Sequence, residues 1–153
     1  MKHRTISLLS LAIMISSIYE TDVLAHDQGG ALGSSPYATQ SWLITCFDDG
    51  NGFADNLYFD IKASTPGRKF GVTATVSKGG QKISTTDSRS GDKIRGPGAF
   101  LNAGDGEYVI TLSKTKSSAK QLDSALRGAI VYGFTYHCQS GSGAHTGTLI
   151  NRG

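Results

Sequence analysis

Three histidines, His26, His137 and His145, are the residues of this chain best equipped for chemistry, since neutral imidazole suits copper and zinc. His26 carries an added possibility because of what precedes it. Lys2 and Arg4 lead into an apolar run from Ile6 to Ile18, and the run closes on Val23-Leu24-Ala25. That is the pattern of a secretory signal peptide with a small residue at the cut. Residues 1–25 are therefore expected to be removed, leaving His26 as a new N-terminus whose α-amino group and ring can chelate one copper ion. A second imidazole, from His137 or His145, would complete a site of the histidine-brace type. If the last hairpin pairs position 137 with 145, the two rings share a face; pairing 138 with 145 would turn His145 toward the core. The bland alternative is that all three are ordinary exposed polar residues, and no Met-rich or Cys-rich cluster reinforces the copper reading.

A second set of candidate ligands is acidic. Asp48-Asp49-Gly50-Asn51-Gly52, with Asp55 beyond, could offer oxygens to Ca²⁺, through Asp48, Asp49, Asn51 and Asp55. The stretch lacks the glycine spacing and terminal glutamate of an EF-hand, and Asp-Gly and Asn-Gly are equally the residues of tight turns between strands. The turn reading is favoured. Catalytic signatures fail in succession: Ser140-Gly141-Ser142-Gly143 lacks the spacing of a nucleophile elbow, and Ser90 to Lys93 and Ser117 to Lys120 match Ser-x-x-Lys without its companion motifs. Phosphate-cradling glycine loops are absent from the sequence. No enzymatic activity is expected unless copper supplies it.

Those residues must be positioned by a chain that works outside the cytoplasm. The apolar run of about thirteen residues is shorter than the roughly twenty a membrane-spanning helix needs, and no later segment is comparably apolar. Export to the periplasm or beyond is expected, with no membrane span. Lys2, Arg4, Glu20 and Asp22 cancel, so the mature chain keeps the net charge of +3. Without a clustered basic run, that excess gives nucleic-acid binding little support. About 128 residues remain, enough for one domain with a real core. Both cysteines, Cys46 and Cys138, lie in that part, and an oxidising compartment favours their closing as a disulfide.

Period-two alternation sets the fold class. Residues 26–40 open with a Gly- and Ser-rich stretch and read as a flexible N-terminal arm or an extended opening strand; 41–153 read as the folded domain. Trp42, Ile44 and Cys46 share one face, as do Leu57, Phe59 and Ile61, then Val72, Ala74 and Val76, then Tyr108, Ile110 and Leu112. Lys78-Gly79-Gly80-Gln81 supplies a hairpin turn into a return strand, and Ala99 to Leu101 reads as a short strand. In the last long strand Ile130, Tyr132, Phe134, Tyr136 and Cys138 align. Cys46 and Cys138 thus share inward parity, which supports their bridge independently of compartment. A short helix is expected over Ala119 to Leu126 and a final strand over Thr146 to Ile150. About seven or eight strands make this an all-β antiparallel sandwich or jelly roll with one disulfide and at most one short helix.

Gly104-Asp105-Gly106-Glu107-Tyr108-Val109-Ile110, followed by Tyr132-Gly133-Phe134-Thr135-Tyr136, resembles the late strands of the bacterial pre-peptidase C-terminal domain. Members of that family are small secreted sandwiches with a late Gly-x-Tyr strand and a closing strand of alternating aromatics. This chain departs from the pattern, because Asp55-Asn56-Leu57-Tyr58 comes early, the disulfide is additional and a strand follows Cys138. The resemblance implies a sandwich and an accessory role, and transfers no site residue. The expected function is a secreted, non-enzymatic binding module for a glycan or protein, with Tyr37 and Tyr58 among its exposed aromatics. The alternatives are a copper-binding exported protein and a subunit of a surface assembly. In the last, the arm would add a strand to a neighbour, with self-association as the consequence.

Overall fold

The computed structural model describes residues 26–153, so the expected signal peptide, 1–25, lies outside the described residues. Nine strands follow in order: β1 (His26–Leu32), β2 (Thr39–Phe47), β3 (Asn56–Ala63), β4 (Phe70–Lys78), β5 (Gln81–Asp87), β6 (Ala99–Leu101), β7 (Gly106–Lys116), β8 (Ile130–Gln139) and β9 (Gly147–Arg152). They form two antiparallel sheets, one ordered β1-β8-β3-β6 and the other β5-β4-β7-β2-β9. This is the expected all-β sandwich. Its ninth strand comes from the opening segment, where the extended-strand alternative holds over 26–32 in place of a flexible arm. β1 docks on β8 with Leu32 opposite Ile130, both buried, and Gly29 and Gly30 let its backbone lie close to the Tyr132 side of β8.

The alternation sorts residues between core and solvent because successive side chains of a strand point to opposite faces. Along β8, Ile130, Tyr132, Phe134, Tyr136 and Cys138 are buried while the residues between them are not. Their partners across the sandwich include Ile44, Val72, Ala74, Val76, Tyr108, Ile110 and Leu112, in one continuous core. Cys46 on β2 and Cys138 on β8 are bridged, with Cα atoms 5.6 Å apart, so the disulfide joins the two sheets. The β4–β5 turn is made by Gly79 and Gly80 at φ +57° and +83°, the left-handed backbone that a two-residue hairpin needs and a side chain resists.

The helix expected over 119–126 is reduced to a 3₁₀ turn at Asp123–Leu126. Leu122, which precedes it, offers no capping side chain, and Leu126 is its only buried residue, so neither end nor face rewards a longer helix. The long polar segment between β5 and β6 lies along the four-stranded sheet instead of projecting. Gly91 N donates to Ala63 O at 2.9 Å and Gly96 N to Ile61 O at 2.8 Å, which supplies partners for β3 where β6 does not reach.

Candidate functional site

The register of β8 decides where the three histidines meet. His137 lies opposite Tyr58 of β3, and the next residue of the same parity, Gln139, lies opposite Asn56 and is bridged to His145. His145 therefore shares the outer face with His137. Neither pairing weighed from sequence is the observed one, but parity is that of the shared-face alternative. The rings stack with centroids 4.2 Å apart and planes at 15°, and Tyr58 stacks on the far side of His137 at 4.6 Å. Phe100 meets the Tyr58 edge at 5.0 Å, so a row of four rings crosses the sheet.

His26 begins β1 opposite Tyr136 and stacks on that ring at 5.5 Å. One register step further along β8 stands His137. The backbone nitrogen of His26 is thus at the same corner as the two stacked imidazoles, although its own ring falls on the Tyr136 side of the sheet.

Two of the imidazoles, His137 and His145, are biased toward the neutral form. His137 is pushed down to about 4, chiefly by burial and then by the charges of His145 and His26, with Asp60 pulling the other way. His145 is lowered too, by burial first and by His26 second. A neutral imidazole has a free lone pair, the state a metal requires.

Polar atoms here also lack partners. Among the described residues, the buried side-chain atoms without a hydrogen bond are His137 Nδ1, Asn56 Oδ1 and Thr146 Oγ1. Asn56 is in the row beside His137, and Thr146 follows His145 in sequence. An unpaired buried polar atom costs on the order of 1–3 kcal/mol, so His137 Nδ1 and Asn56 Oδ1, in neighbouring rows of the outer face, mark a place where a hydrogen-bonding ligand or ion would be stabilising. Among the described residues, however, no three His, Cys, Asp or Glu side chains gather closely enough to hold a metal by themselves.

A polar network holds the neighbouring rows. Asp60 points outward as its parity requires yet is buried, because Arg95 of the β5–β6 segment lies over it with an N···O distance of 2.6 Å. Tyr58 donates to Asp60 Oδ2 at 3.2 Å, and Arg95 Nη2 donates to Thr135 Oγ1, which in turn donates to Asp27 Oδ1 at 2.6 Å. Burial and the Asp60 carboxylate both raise the Tyr58 hydroxyl. Sequence parity places Tyr58 and Asp60 on the outer face, but nothing in the sequence announces Arg95 as their cover or Asn56 as a neighbour of the histidines.

The acidic loop is a turn. Asp48 Oδ1 accepts from Gly50 N at 2.8 Å and Gly52 N at 3.1 Å, and Asp49 Oδ1 accepts from Asn51 N at 3.3 Å. These oxygens serve local backbone donors, while Asp55 is exposed and joined to the sheet only through its backbone, Asp55 N donating to Gln139 O at 2.7 Å. No protein-family model matches the chain, and a comparison with curated proteins finds no match.

Proposed function

We propose that this chain is an exported, non-enzymatic β-sandwich binding module whose ligand at the histidine corner is a borderline-soft metal ion, copper(II) before zinc(II). The observation that carries the reading is the stacked pair of His137 and His145 on the outer face, where His137 Nδ1 is buried without a partner, with the backbone nitrogen of His26 entering the sheet opposite the neighbouring Tyr136. Imidazole nitrogens select for these metals over calcium or magnesium, and copper(II) binds such donors more tightly than zinc(II).

The α-amino group is the deciding ligand in this reading. Side chains alone do not form a cluster, and the parallel stack at 4.2 Å directs two lone pairs side by side rather than to one point, so one ring must turn for both to reach an ion. His145, in the loop ahead of β9 and not clamped by Tyr58, is the ring free to turn. A cut before His26 would add an amine nitrogen at this corner, and the His26 ring would have to leave its stack on Tyr136 and swing round the open end of β1 to join it on the same ion.

Copper(II) titration of the protein starting at His26, against the same protein with one glycine added ahead of it, tests this. We expect strong binding in the first form and a loss of about a hundredfold or more in the second, comparable to losing a chelating ligand and its orienting partners. Equal affinity in the two forms, or none in either, would overturn the metal reading. The resemblance of Gly104–Ile110 and Tyr132–Tyr136 to pre-peptidase C-terminal strands supports an accessory role on a larger target. A surface-assembly role has less support, since β1 is already paired with β8 and only its outer edge is open to a second chain.

A further inference from the structure

At the far end of the sandwich from the histidines, the β3–β4 turn and the β7–β8 connection enclose an open cleft of about 620 Å³. Four cations line it, Arg68, Lys69, Lys120 and Arg127, and no carboxylate does. The ion pairs found among the described residues are Arg95 with Asp27 and Asp60, and Lys116 with Asp123, so none of the four is neutralised by an acid. Asp123, in the β7–β8 connection, is committed to Lys116 at 2.7 Å and also accepts from Tyr37.

The cleft is built rather than incidental. Its two lips are tied together, because Ser117 Oγ and Gln121 Nε2 both donate to Lys69 O at 2.8 Å, and Ser117 N donates to Gln121 Oε1 at 2.7 Å. Arg68 is fixed: Nε donates to Ala129 O at 3.0 Å and its guanidinium lies against Gly128, where a Cβ would come within 2.5 Å of Nη1. Gly128 has φ +103°, so both backbone and space exclude a side chain that would push the guanidinium away. Behind it Lys114 is buried, with Nζ donating to the carbonyls of Ser35, Leu126 and Gly128. Carbonyl dipoles hold that ammonium without cancelling its charge. Burial first, and the neighbouring Arg68 second, lower its proton affinity.

We infer that this cleft binds an anionic polysaccharide, its carboxylate or sulfate groups pairing with Arg68, Lys69, Lys120 and Arg127. The character of the lining selects this class of polyanion. Single-stranded nucleic acid is held by aromatic faces as well as charge, and the aromatic ring here, Phe70, is buried. Protein partners are anchored by aromatic or large apolar side chains in pockets, whereas the cleft offers only Ala125 at its surface. A hydrophilic chain carrying spaced negative charges matches cations separated by serines and a glutamine. The site is independent of the histidine corner and rests on export only for access to such a polymer.

The test is retention of the protein starting at His26 on three immobilised polymers: heparin for sulfate, polygalacturonate for carboxylate and dextran as the neutral control. The paired variant Lys120→Gln/Arg127→Gln is compared with a charge-matched control, Lys82→Gln/Lys93→Gln, whose residues lie outside the cleft. Because two exposed cations are removed, we expect the cleft variant to bind a charged polymer about tenfold more weakly and with a shallower salt dependence. The control should stay within about twofold, because removing charge elsewhere leaves short-range pairing intact. Unchanged melting temperatures and copper binding in both variants keep the result separate from folding and from the metal site. Retention on neither charged polymer, equal loss in the control, or stronger retention of single-stranded DNA would overturn the assignment.

Discussion

Reducing the Cys46–Cys138 bridge should remove a large share of the stability of this fold. The bridge spans 92 positions and ties β2 of one sheet to β8 of the other. In the chain-entropy relation, closing a loop of that length removes about 16 cal/mol/K of denatured-state entropy, or about 4–5 kcal/mol at 25 °C. Domains of this size are stable by about 5–15 kcal/mol, so the reduced protein is left marginal. Both sulfurs sit in the core, at 1% and 0% exposure, and reduced thiols are small and apolar enough to stay there, so no burial penalty offsets the estimate. The strands inside the closed loop, β3 to β7, should therefore lose stability together with β1 and β9, which lie outside it. Urea unfolding of oxidised and reduced protein, followed by Trp42 fluorescence, measures the difference. A loss below about 1 kcal/mol would refute the loop-entropy reasoning, since native contacts are the same in both forms.

Three other perturbations test the packing. Gly71→Ala places a Cβ 1.9 Å from Asp87 O and 2.7 Å from Ser88 Cα, and backbone cannot yield cheaply there, so a loss of about 2–3 kcal/mol is expected in chemical denaturation. Asp87 is buried and accepts from Ala63 N at 2.7 Å and Arg89 N at 3.0 Å, so Asp87→Ala should cost about 1–3 kcal/mol and Asp87→Asn less, because the amide oxygen still accepts one donor. Tyr108 donates to Gly104 O and is raised to about 12, mainly by burial and further by Asp105 and Asp55, with Lys78 over its ring. Because the folded value exceeds the unfolded one, its contribution is intact below about pH 10 and lost as pH rises toward 12. Near-ultraviolet titration should show Tyr108→Phe lacking the latest-ionising tyrosine, and a wild-type protein whose tyrosines all ionise near 10 would contradict this.

Strand positions were legible because alternation is a local signal. Leu57, Phe59 and Ile61, or the run from Ile130 to Cys138, declare their inward faces within a few residues, and shared parity was enough to foresee the bridge between Cys46 and Cys138. The opening segment was ambiguous for the opposite reason: His26 to Leu32 carries too little apolar patterning to order itself, and becomes β1 only because β8 offers it an edge. The same holds for the 3₁₀ turn at Asp123–Leu126, where an expected helix lost its support because packing rewards one residue alone.

The histidines show where sequence stops. The sequence alone singled out His26, His137 and His145 as the candidate ligands and gave the expectation of a cut after Ala25. Only tertiary structure decided that Gln139 pairs with His145, that Tyr58 clamps His137 from β3, and that Arg68, Lys69, Lys120 and Arg127 converge at the opposite end. The physical reason is that side-chain direction repeats every two residues and can be read along one strand, whereas the identity of a cross-strand neighbour is set by register and sheet order, which depend on the whole core being filled at once.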